Sequence, residues 1–176
     1  VPVITIDAPS DPSGYPIVID NRLSDAYYVL CDDLNDVSAR AVLNITGAEN
    51  ITINAAGHKI VHGGSFPDSS TSTCLNNKYG ILLENSRNVL ISNVGIEKDR
   101  SSLASLLATC AYNLMITGDS DGIAFRNTTF NYHLYINNTG KNTFNNCKFE
   151  GDASRMKLRG SSVTNINSSL INSAIW

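Results

Sequence analysis

Charge is scarce in this chain. Charged residues make up 16% of its 176 positions, and 13 Lys plus Arg against 16 Asp plus Glu leave a net charge of -3. That balance excludes a basic field able to attract nucleic acid or an acidic lipid surface. No apolar run approaches the roughly 18 residues of a membrane span, so no spanning helix is expected. The four cysteines include no Cys-x-x-Cys pair, which argues against a zinc knuckle or a thioredoxin-like centre. The three histidines, His58, His62 and His133, are too scattered for a metal triad, and no cofactor is expected. The chain also lacks an initiator Met, and its start, VPVITID, reads as a mature chain without its export signal or as a trimmed piece.

What is present is a periodic apolar pattern. With 42% hydrophobic residues, the chain can form one domain with one continuous core. The clearest unit is Tyr79 to Glu97, YGILLENSRNVLISNVGIE. Ile81 with Leu83, Val89 with Ile91, and Val94 with Ile96 form three short alternating pairs, a period of 2 that marks strands. Each pair is bounded by Asn, Ser or Gly, which tolerate left-handed backbone or bond to nearby amides. Such a unit buries its apolar side chains only when stacked on others like it.

Other copies follow. Ile45 to Asn54 aligns with Leu83 to Ser92 at an offset of 38, and Ala108 to Thr117 reads as a third copy, with Asn50, Asn88 and Asn113 at equivalent places. Near the end Phe125, Phe144 and Val163 step by 19, as do Asn127, Asn146 and Asn165. Taking 38 as two steps of 19, and the middle offset as carrying about six inserted residues, predicts seven or eight coils of about 19 residues. Equivalent Asn residues are expected to hydrogen-bond in ladders. The fold expected is all-β, a right-handed parallel β-helix, with an antiparallel sandwich as the alternative.

The phrases YGILLENSRNVLISN, DGIAFRNTTF and NTFNNCKFEG resemble the repeats of right-handed parallel β-helix proteins, a group including periplasmic copper-site maturation proteins, archaeal surface proteins and pectate-lyase-like carbohydrate enzymes. The resemblance covers about residues 41 to 171 and speaks for architecture, because the group includes enzymes, tail proteins and surface layers. Residues 41–176 are assigned to the coils. Residues 1–40 are assigned to an N-terminal cap or exchange arm, with Val1, Val3, Ile4 and Ile6 available to a neighbour, and an apolar Trp176 at the other end raises the same question of assembly.

Several residues are candidates for sites. Cys31, Cys74, Cys110 and Cys147 are expected to form two disulfides, with three pairings open; four buried thiols are the alternative. Asn44, Asn50, Asn127, Asn137 and Asn167 begin glycosylation tripeptides, a number close to chance in a chain with 21 Asn and 32 Ser plus Thr. Asp32, Asp33 and Asp36 offer oxygen ligands for calcium, though a solvated acidic corner fits their spacing better. The polar stretch His62 to Lys78 reads as a long loop and the first place to look for binding. Ser101 to Ala111 fits either a short surface helix or a coil strand.

Catalysis has a thin basis. Asp121-Gly122 and Arg155-Met156-Lys157 are similar to parts of the polygalacturonase pattern, and that likeness implies Asp121 as an acid/base carboxylate with Arg155 and Lys157 holding a substrate carboxylate. The second Asp pair and the Gly-His-Gly of that pattern are missing. The expected function is therefore an extracellular, non-catalytic structural protein, a self-assembling subunit of a cell-surface filament or layer whose partners are copies of itself and glycans. A polysaccharide-binding or polysaccharide-cleaving domain is the first alternative, favoured by exposed aromatics such as Tyr112, Tyr132 or Tyr135 beside carboxylates. A viral tail or adhesin fragment is the second.

Overall fold

In the computed structural model the chain is a right-handed parallel β-helix, described here for residues 1–151, 155–159, 163–167, 170–171 and 174–175. After β1 (Val3–Ile6), a first coil consists of β2 (Ile17–Asp20), β3 (Tyr27–Leu30) and β4 (Leu34–Asp36). The second has β5 (Ala41–Thr46), β6 (Glu49–Asn54) and β7 (Lys59–His62), and the third β8 (Lys78–Glu84), β9 (Arg87–Ser92) and β10 (Gly95–Lys98). A short helix, α1 (Leu103–Leu107), precedes the fourth coil, β11 (Ala111–Gly118), β12 (Asp121–Arg126) and β13 (Thr129–Phe130). Two further coils follow: β14 (Leu134–Asn138), β15 (Lys141–Asn145) and β16 (Lys148–Phe149), then β17 (Arg155–Arg159), β18 (Val163–Asn167) and β19 (Leu170–Ile171), with β20 (Ala174–Ile175) last.

Among the described residues these strands form three parallel sheets of seven, six and seven strands. Sheet A contains β1, β3, β6, β9, β12, β15 and β18; sheet B runs β2, β5, β8, β11, β14, β17 and β20; sheet C runs β4, β7, β10, β13, β16 and β19. The chain passes from B to A to C and then climbs to the next coil. Six complete coils result, fewer than the seven or eight expected, because two coils are long. Ile51 pairs with Val89, so the offset of 38 is one coil and not two. The extra length lies in two excursions at the corner from C to B, residues 63–77 and 99–110.

Other expectations shift with this register. Ala111–Gly118 pairs with β8 in sheet B, so Asn113 is not the counterpart of Asn88; that place is taken by Gly122. Phe125 does pair with Phe144, but Phe144 pairs next with Ile166, so Val163 and Asn165 do not continue the column. Of the stretch from Ser101 to Ala111, Leu103–Leu107 forms α1, capped by the Ser102 hydroxyl accepting from Ser105 N, and the strand begins only at Ala111.

No break in the sheets separates residues 1–40 from the coils. β2, β3 and β4 pair in register with β5, β6 and β7. Nor is β1 an arm held out for a neighbour: it pairs with β3 of its own chain, Ile6 is buried, and Ile4 packs against the core. Val1 and Val3 remain exposed. The connection from β1 to β2 brings Ala8 and Tyr15 against the core beside Ile17 of β2, and the Tyr15 hydroxyl accepts from Asn35 N on the first strand of sheet C. Trp176 lies outside the described residues.

The core is the inward row of each sheet. Leu43, Ile81, Leu114 and Leu134 stack in sheet B, and Ile53, Ile91, Phe125 and Phe144 in sheet A, all at most 1% exposed. In the upper coils aromatic rings join the filling. Phe125 stacks on Phe144 and Phe130 on Phe149 with centroids 5.4 and 5.3 Å apart, and the two stacks meet edge to face. That combination satisfies the ring quadrupoles in both directions.

Corners depend on left-handed backbone. Asp25, Asn50 and Asn88 have φ near +55°, and Gly122 continues their column at +65°, where a Cβ would lie 2.8 Å from Asn88 Oδ1. Asn50 Nδ2 donates to Asp25 Oδ1 and Asn88 Nδ2 to Asn50 Oδ1. On the corner from A to C, Asn93 donates to Asn54, Asn127 to Asn93 and Asn146 to Asn127. These are the expected ladders, in two columns. An ordinary L-residue in this conformation loses about 1–2 kcal/mol, and each ladder bond adds about 1 kcal/mol or less where it is exposed. Asn127→Ala should therefore destabilise by about 1–3 kcal/mol in urea unfolding, and Asn127→Gly by less because the backbone term is spared.

Candidate functional site

The most irregular surface lies at the corner from C to B, where both excursions leave and return. Three inward positions in register end the strands of sheet C there: Asp36, His62 and Lys98, all buried. Each ties down the chain that follows it. Asp36 Oδ1 accepts from Ser38 N, Ser38 Oγ and Ala39 N, and Lys98 Nζ donates to Ser105 O of α1 while lying 5.2 Å from the Tyr132 ring centroid. His62 Nδ1 faces Gly63 O at 2.7 Å and Nε2 faces Asn113 Oδ1 at 2.8 Å, with Asn113 Nδ2 donating to Ile96 O. Burial pushes the His62 imidazole down to about 4 despite the two acceptors, which favour its charged form. Burial likewise lowers Lys98, with Arg100 adding to it. The column is visible in sequence only as a polar residue closing three inward-facing patterns, LND, KIVH and GIEK.

Above this column the excursions are joined. Cys74 and Cys110 form a disulfide, and Ser65 pairs antiparallel with Cys110 through Ser65 N to Cys110 O and Cys110 N to Ser65 O. The first excursion leaves at Gly63 so close to Val37 that a Cβ would fall 2.1 Å from Val37 O. Only one of the two expected disulfides is formed, because Cys31 is exposed near the N-terminal end while Cys147 is buried in the core, its thiol donating to Phe125 O and Asn145 O. The linked excursions carry Phe66, Leu75, Leu103, Leu106 and Leu107, each more than half exposed.

The outer face of sheet B holds a second arrangement. Tyr79, Tyr112 and Tyr135 lie in a row with centroids 6.1 and 5.7 Å apart, beside Ala41, Leu82 and Met115. Arg40 lies over Tyr79 at one end, and Lys157 and Arg159 lie over Tyr135 at the other. The ring faces are thus engaged with one another and with cations, and burial raises the Tyr112 hydroxyl. Tyr132 is 5% exposed, stacked on His133. The aromatics named from sequence do cluster, but beside cations instead of carboxylates and without an open face for a sugar ring.

The remaining candidates are dispersed. Asp121 opens β12 in sheet A, where its Oδ1 accepts from Lys141 N, which holds its carboxyl below the usual range. Lys157 is on sheet B over Tyr135, so the two do not share a face; the side chain of Arg155 lies outside the described residues. Asp32 accepts from Ala8 N, Asp33 accepts from Lys59 N and pairs with His58, and Asp36 is engaged as above, so the three carboxylates do not converge. No group of three metal-binding side chains is found among the described residues. No helix among them is long and apolar enough to cross a membrane. Of the glycosylation candidates, Asn50, Asn127 and Asn167 donate within ladders, Asn44 is half-buried on sheet B, and Asn137 is exposed on β14.

No protein family, curated protein or solved structure matches the chain.

Two measurements follow from this corner. On acidification the unfolded His62 takes up its proton near pH 6.5 and the folded one only near 4. Its stabilising contribution is complete above about 6.5, falls as pH drops towards 4 and levels off below; the loss is at most about 3 kcal/mol, and His62→Gln should flatten that part of a pH-dependent unfolding series. Reducing the disulfide, or Cys74→Ala with Cys110→Ala, opens a loop of 36 residues and should lower stability by about 3–4 kcal/mol in the chain-entropy account, read as a lower unfolding midpoint.

Proposed function

We propose that this chain is an extracellular structural β-helix that associates with copies of itself through the side of its coil, as a subunit of a cell-surface layer or filament. The observation that carries this reading is the concentration of exposed large apolar side chains on the linked excursions. Ten large apolar side chains are exposed among the described residues, and five of them, Phe66, Leu75, Leu103, Leu106 and Leu107, belong to these two segments. Exposed large apolar side chains gathered on two disulfide-linked segments favour contact with another protein surface.

The ends are less suited to the task. Ile4, Ala8, Tyr15 and Ile17 pack over the N-terminal end of the core, so end-to-end stacking there would first require displacing the chain's own residues. Chemistry is a poorer reading, since Asp121 is committed to a backbone amide and Lys157 to a tyrosine ring on a different sheet. The exposed disulfide-braced loop and the exposed Asn137 tripeptide suit an oxidising compartment outside the cell, with a glycan at Asn137 as an expected modification.

Sedimentation and electron microscopy across a concentration series test the reading. The intact chain should form discrete oligomers or regular arrays, and the combined variant Leu103→Ser, Leu106→Ser, Leu107→Ser should weaken association at least about tenfold with an unchanged melting temperature. A monomer at every concentration would sink it.

A further inference from the structure

A cavity of about 650 Å3 opens where the first excursion rejoins the coil, lined by Arg40, Leu75, Asn76, Asn77, Lys78 and Tyr79. Its chemistry departs from that of the whole molecule. The chain has a net charge of -3, yet this lining has two cations and no carboxylate. We propose that the cavity is an oxyanion-binding site, taking a carboxylate, sulfate or phosphate group.

The walls are fixed by structure on two successive coils. On one side, Asp36 Oδ1 gathers the amides of Ser38 and Ala39, setting the corner from which Arg40 projects. On the other, the Cys74–Cys110 disulfide, a bond from Ser65 Oγ to Asn76 O and one from Lys78 N to Cys110 O hold residues 74–78. Tyr79 N donates to Arg40 O, joining the two walls, and Lys78 Nζ donates to Ser38 O across them. The Asp36 carboxylate bonds to Ser38 and Ala39, and among the described residues it makes no ion pair with Arg40.

What these walls present is mainly donors. The Arg40 guanidinium lies over the Tyr79 ring at 5.9 Å and keeps a planar fork of N–H groups suited to two oxygens of one anion. Lys78 has two N–H groups beyond the one given to Ser38 O. Neither the Asn76 nor the Asn77 side chain has a hydrogen-bond partner among the described residues, so both amides keep their N–H groups for a ligand. Two positive groups and amide donors converging without an acid select an oxyanion over a cation or a neutral apolar molecule.

The test is nuclear magnetic resonance titration of the full chain with sodium sulfate, phosphate and glucuronate, each at constant ionic strength set with sodium chloride. Saturable shifts should appear at Arg40, Asn76, Asn77 and Lys78. Affinity should fall about tenfold or more in Arg40→Gln and in Asn76→Asp, which places a carboxylate in the exposed wall, while Arg126→Gln on sheet A leaves it unchanged. Either order of affinity supports the site: a preference for glucuronate identifies an acidic sugar as the source of the oxyanion, and equal binding identifies the anion alone. Shifts that do not saturate, or that persist equally in both wall variants with melting temperatures unchanged, would overturn it.

Discussion

Everything in this molecule depends on turning the chain sharply, three times a coil, without leaving its backbone unpaired. A parallel coil returns each strand to the edge of the one before, so an error at one corner shifts the register of all coils above it. The corners that keep register use left-handed residues whose side chains also bond to the coil below. Asn does both, which is why Asn50 and Asn88, and Asn93, Asn127 and Asn146, recur where a single property would have allowed Gly or Ser. Gly122 marks the limit of the rule: it supplies the backbone and gives up the bond.

Inside the coil the same economy of means gives a core without a single centre. Mostly aliphatic residues fill the lower coils, and in the upper ones stacked phenylalanines join them at the spacing of adjacent strands. Polar residues enter this interior at set places. Ser86 and Ser120 bond to neighbouring coils at the corner from B to A, and Asn138 and Asn142 pair with each other above them. Asp36, His62 and Lys98 close sheet C, each bonding to the connection that follows. Buried polar groups are costly unless satisfied, and here the first set ties neighbouring corners together while the second clamps the connections leaving sheet C.

The fold was legible in the sequence because strand alternation and Asn corners are local. Tyr79 to Glu97 forms one coil of three strands, with Ile81, Leu83, Val89, Ile91 and Ile96 facing inward as their spacing required. The coil length was harder to read. An excursion of 15 residues before Lys78 brought the 38-residue spacing to twice the short coil, and nothing local distinguishes one long coil from two short ones. Asn113 shared the pattern of a corner residue, yet its amide lies inside, against His62, because the strand it belongs to is in sheet B. The pairing of Cys74 with Cys110 depended on two excursions meeting in space, as did the cavity beside Arg40. Such sites arise from coils stacked on one another, and no single repeat contains them.

This division of labour explains why the two long excursions fall on one corner. An insertion into a β-helix is tolerated where it leaves the three ladders intact, and a long loop costs little more than a short one once its ends are held together. Residues 63–77 and 99–110 leave and rejoin the stack at successive levels, so they lie side by side and can brace each other through the disulfide and the Ser65–Cys110 bridge. The clamps at His62 and Lys98 keep their roots in place. The coil thereby carries a rigid projection without surrendering its own regularity, and the projection gathers features that the ladders exclude: exposed leucines, a helix and a cationic cavity. The ladders at the other two corners leave less room for such features, because their Asn side chains are spent on holding the coils in register.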